Sequence, residues 1–207
     1  MSVMSVFRDY SWQELEQKAE DILSHHFYLL KDRPCEIDID RIINHMGIIL
    51  LCKRGIHKKY ETPSLAVING KVIVVDTNIL DNVRYEKMLR FTLAEELAHT
   101  ELHCPIAQEY CKNKEDKLLR EFLIDLGNEE EARANRHARK MAEAILMPQS
   151  IFIPKFIEVC KEMDINNGDH ANDVLYHLTH DFNLNITAVS YRAVNLGLIN
   201  RSGEIFI

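Results

Sequence analysis

Glycine and proline are scarce, at seven and five in 207 residues. So few turn formers and helix breakers exclude a loop-rich scaffold and predict a mostly helical chain. The five cysteines, Cys35, Cys52, Cys104, Cys111 and Cys160, are odd in number and form no Cys-x-x-Cys pair. Reduced thiols in the cytoplasm are expected rather than a disulfide framework. The longest aliphatic run, Ile48-Ile49-Leu50-Leu51-Cys52, is far too short to cross a bilayer. Met1–Asp9 lacks a basic stretch followed by an apolar one, so no secretory signal is expected. Positive charge is also in deficit: 25 Lys and Arg against 32 Asp and Glu, net −7. Direct nucleic-acid binding is not expected from such a balance, because phosphate recognition needs clustered cations. A basic partner or a neutral peptide fits better. Neither a repeat nor a low-complexity tract is present.

The length suits one domain with a small appendage. We read an N-terminal helix in 1–32, a core in 33–165 and a helical tail in 166–207. Ser11 with Glu14 three residues on is a capping-box start for a helix running to about Leu30, with Leu15, Ala19, Ile22, Leu23 and Phe27 on one side. A second helix spans 39–46 and is stopped by Gly47. Ile48–Cys52 reads as a buried strand, and Lys53–Lys59 as a basic loop. Leu65–Ile68 and Lys71–Asp76 flank Asn69-Gly70, a strong hairpin signal. The sheet should therefore have about three strands. Further helices are expected over 117–126, 129–146, 154–163, 169–180 and 187–197. The last two have a helix–turn–helix rhythm, but Arg192 is the one basic residue within the second.

Everything is arranged around Thr92–His103, part of a helix expected from about Asp81-Asn82 to His103 and ended by Cys104-Pro105. Residues four apart share a helix face, so Glu95, His99 and His103 form one stripe with Glu96 beside it. The apolar repeat Met88, Phe91, Glu95, Ala98, Leu102 puts Glu95 where a hydrophobe belongs. A carboxylate there needs a partner, and a metal ion is one.

Glu95-Glu96-Leu97-Ala98-His99 differs from the His-Glu-x-x-His metalloprotease helix only at the first ligand. Arg90–His99, with Leu102-His103 following, resembles the active-site helix of the ImmA/IrrE metallopeptidase family. Glu131–Ala138 and Ala142–Pro148 resemble that family's second block, where a Glu one turn before an Ala-Asn pair is the third metal ligand. Matching Ala134-Asn135 assigns Glu131; counting back from Leu146-Met147-Pro148 assigns Asn135. The resemblance covers roughly 35–200. It implies an α+β, mostly helical zincin-like fold whose small sheet lies against the active helix. It makes Glu96 the catalytic base and Glu95, His99 and Glu131 the metal ligands, with Asn135 and His103 as alternatives. The cofactor it implies is a divalent metal, zinc in the family. Two carboxylates and one imidazole form a harder set that admits manganese or iron, or leaves the site without metal. The implied partner is a helix–turn–helix repressor in stress response or mobile-element regulation, either cleaved or held by an inactive pseudo-peptidase.

Overall fold

The computed structural model describes residues 5–26, 35–80, 82–112 and 116–206. The expected continuation of the first helix to Leu30, the start at Asp81 and the middle of the charged 112–117 segment lie outside them. Helix α1 (Trp12–His26) begins on the expected capping box: the Glu14 N–H donates to Ser11 Oγ at 3.2 Å, and the Ser11 N–H donates to Glu14 Oε2 at 2.8 Å. Then come α2 (Ile39–His45), β1 (Ile49–Lys53), α3 (Ile56–Tyr60), β2 (Ser64–Ala66), β3 (Val72–Asp76) and α4 (Thr77–Leu80). A 3₁₀ turn over Val83–Tyr85 leads into α5 (Glu86–Leu102), and α6 (Cys104–Tyr110) follows. The remaining helices are α7 (Leu119–Leu126), α8 (Asn128–Leu146), α9 (Gln149–Glu162), α10 (Asn172–Asp181) and α11 (Ile186–Asn195). The fold is mostly helical with one mixed sheet of three strands, ordered β1-β3-β2.

β1 runs parallel to β3 and β2 antiparallel to it, with Leu51 opposite Val74 and Leu65 opposite Val74 on the other side. The expectation of a buried first strand is corrected here. β1 is an edge strand, and Ile49 and Leu51 stand 61% and 52% exposed while Leu50 packs on the core. A continuous aliphatic run cannot distinguish a central strand from an edge. The hairpin is present but short. Ile68 leaves the ladder because its N–H donates to the Lys117 carbonyl, and Gly70 takes the left-handed φ of +67° that closes the turn. Part of the basic loop is helical as α3. Pro105 opens α6 as well as ending α5, since its missing N–H costs nothing in a first turn. α9 starts five residues before the expected Pro154, directly after Pro148.

α5 is buried on nearly every side. Its largest interface is with α8, where Ala94 and Ala98 meet a face carrying Ala134, Ala138 and Ala142, all essentially inaccessible. Side chains this small let two helix axes approach closely. Ala132, two residues before that row, is exposed. One hydrophobic core runs from Leu15 on α1 to Ile205, so the three expected segments share it. Among the described residues no helix is long and apolar enough to cross a membrane.

The ends of the chain are joined by charge. Arg192 of α11 is wholly buried; its guanidinium makes a two-pronged contact with Glu16 of α1, donates from Nε to the Met147 carbonyl at 2.8 Å and lies over Trp12. The one basic residue within the last helix is thus turned inward. Breaking a buried pair by removing one partner strands the other charge. Arg192→Ala should therefore lower unfolding free energy by about 3–5 kcal/mol in urea titrations. The double change Arg192→Met, Glu16→Met should cost clearly less than Arg192→Ala.

Candidate active-site cleft

A cleft of about 310 Å³ opens between α5, α7, α8 and the approach to β2. Glu95, Glu96 and His99 line it from α5, Leu119, Arg120 and Leu123 from α7, and Asn135 and Arg139 from α8. The helical spacing that groups the α5 residues also groups Asn135 and Arg139, one turn apart.

Glu96 is the most constrained of these groups. It is 7% exposed, and Oε2 accepts the Ala66 N–H at 2.6 Å. Ladder bonds at Pro63 and Val67 turn those backbone groups toward β3, so the intervening Ser64 and Ala66 groups face away from it. The carboxyl is thereby fastened to the free edge of the sheet. Burial pushes it up to about 8; the Ala66 bond opposes the shift, and Glu95 next door adds to it. At neutral pH it is mostly a neutral acid.

His99 is driven down to about 4 by burial, against a hydrogen bond with Asn135. Its Nδ1 lies 3.0 Å from His103 Nδ1, so one ring donates and the other accepts. His103 is completely buried behind His99, does not line the cleft, and is held well below the ordinary histidine value by the same desolvation. It meets Phe7 edge-on at 4.9 Å and stacks parallel to His137 at 6.3 Å. His137 Nε2 reaches Asp9 Oδ1 at 2.9 Å. His103 Nε2 and His137 Nδ1 are buried without a hydrogen-bond partner among the described residues. A row of imidazoles thus runs from the cleft to the N-terminal segment. Sequence reasoning does not single out His137, although its place three residues after Ala134 and four before Met141 puts it on the helix face that carries the alanines.

The expected ligand set is brought together only in part. Glu95 and His99 share the cleft wall, but Glu95 Oε1 accepts from Arg139 Nε at 3.1 Å. Burial raises the Glu95 carboxyl, and Arg139 works against that. Asn135 lines the cleft and Glu131, one turn earlier, does not. Among the described residues no three His, Cys, Asp or Glu side chains converge to hold a metal. A zinc site needs three protein donors around an open position. Here the third side chain is a neutral amide bonded to His99, and the first is ion-paired, so the residues do not fit that group. A search for anionic and imidazole ligands passes over Arg139. Its spacing, four residues from both Asn135 and Glu143, is the signal that could have found it.

No family model matches the chain, and no curated protein does. A solved structure of a Mycobacterium tuberculosis transcriptional regulator is similar in fold, with a TM-score of 0.54 at 14% identity over 94% of this chain and 49% of that one. The chain spans about half the length of that structure.

Because Glu96 binds its proton more tightly in the folded chain than its ordinary value of 4.5, the stability it contributes is fully present below pH 4.5 and is lost as pH rises through about 8. Wild-type stability in denaturant should fall across that window. In Glu96→Gln the fall should shrink, by on the order of a few kcal/mol.

Proposed function

We propose that this chain is an ImmA/IrrE-type protein with a zincin-like fold that holds an extended segment of a protein partner in the cleft without hydrolysing it. The partner class this reading favours is a helix–turn–helix transcriptional repressor. The observation that carries it is the Glu95–Arg139 ion pair. A side chain at a metal-ligand position that is neutralised by a protein cation has no need of a metal, and Asn135 adds no charge to attract one. The cleft beside β2 supports the binding half of the reading: Thr62, Pro63 and Leu65 line it opposite α5 and α8, and a partner segment laid there runs along the approach to the strand.

One observation favours a working metallopeptidase with an altered metal centre instead. Glu96 occupies the position of the general base, nearly buried at the cleft wall, with its proton affinity raised toward neutrality as acid–base catalysts require. The poor fit of the donor set to a metal keeps this reading second.

The two readings separate in a single design. Purified chain is equilibrated with Zn²⁺ or Mn²⁺, freed of excess, assayed for bound metal and mixed with helix–turn–helix repressors from the same genome. The expected result is a stable complex with an intact repressor and well under one metal per chain. One metal per chain, with repressor cleavage that disappears in Glu96→Gln, would establish the metallopeptidase.

A further inference from the structure

Beyond the Glu95–Arg139 pair lies a second cavity of about 440 Å³, between α5, α8 and the first turns of α11. It adjoins the first: Met88, Thr92, Glu95 and Arg139 line both. Its other walls include Phe91 and the exposed ring of Tyr191. Glu143, only 3% exposed, also lines it. Glu143 Oε2 accepts from Asn195 Nδ2 at 2.7 Å, and among the described residues no ion pair reaches this carboxyl. The cations around it are engaged elsewhere. Arg139 pairs with Glu95, Arg192 with Glu16, and Lys140 lies over Trp12. Burial raises Glu143 to about 7, which is what a carboxyl without its own counter-ion does.

A buried carboxyl at the wall of a cavity with an aromatic and thioether lining suits one kind of guest. Its stem must be apolar and its tip cationic, because the stem packs on Met88, Phe91 and Tyr191 while the tip restores the missing charge. We propose that this second cavity is a side-chain pocket for a lysine or arginine of the protein segment held in the first cleft, with Glu143 as the residue that selects it. The inference rests on the binding reading above, and it names the residue class that the partner must present beside the segment in the first cleft. The shared wall of the two cavities sets the geometry: a backbone passing the Glu95–Arg139 pair can drop one side chain into the second space.

The test uses the full chain and two small probes, N-acetyl-arginine amide and N-acetyl-norleucine amide, followed through the backbone amide resonances of Ala188 and Tyr191. The arginine probe should shift both saturably, and the norleucine probe should bind about tenfold more weakly or worse. Glu143→Gln, which keeps the shape and the Asn195 contact, should abolish the preference. Tyr191→Ala, at an exposed position, should weaken both probes and serves if the Glu143 variant does not fold. Equal binding of the two probes, retention of the preference in Glu143→Gln, or no shift at Ala188 and Tyr191 would overturn the proposal. Neither metal nor a repressor enters this measurement. A chain that binds the arginine probe but no repressor would therefore sink the functional reading and leave the pocket standing.

Discussion

A single hydrogen bond, from the Ala66 N–H to the buried Glu96 carboxyl, ties the central helix to the free edge of the sheet. A carboxyl this far from water has to be neutralised or matched by donors. The fold does both: it offers one backbone donor and raises the proton affinity of the group. That contact, added to the packing of α5 on the sheet, holds the two elements side by side at the cleft wall. Its chemistry follows from the same burial. The two groups nearest its floor, Glu96 and His99, are both mostly uncharged at neutral pH, and the charge at its rim belongs to Glu95 and Arg139.

The surroundings make that arrangement rigid. The broad interface between α5 and α8, with buried alanines on both helices, leaves little room for adjustment along the pair, since interiors are packed to crystal density. Behind His99, the imidazoles of His103 and His137 continue the polar seam to Asp9, so the N-terminal segment closes the back of the site. At the far end, the Arg192–Glu16 pair fastens α11 to α1 across the floor of the core. The tail that carries a helix–turn–helix rhythm is thereby built into the domain, with its basic side chain facing inward.

Much of this can be read from local chemistry. The capping box at Ser11 and the Asn69-Gly70 turn each follow from interactions within a few residues, and each is present. What cannot be read depends on partners far away in sequence. Whether Ile49 and Leu51 are covered is decided by strand order, which puts β1 at an edge. Whether Glu131 or Asn135 reaches the cleft is decided by where α8 sits along its own axis against α5, because the two share a helix face and one turn separates them. The stripe of Glu95 and His99 is visible from spacing, but the cation that answers Glu95 comes from Arg139, 44 residues on. The bond that anchors Glu96 ends on a backbone amide, which carries no side-chain signature at all.

The shape and the charge of the cleft depend on Glu96 being a buried acid fastened to β2 and not a solvent-facing carboxylate. The most direct measurement is a pH titration of the Glu96 side-chain carboxyl carbon by NMR, recorded together with the Ala66 amide. One shared transition near pH 8 is predicted, with the amide shifting as the carboxyl ionises. A transition near the ordinary value of 4.5, or an Ala66 amide indifferent to it, would contradict that picture of the cleft.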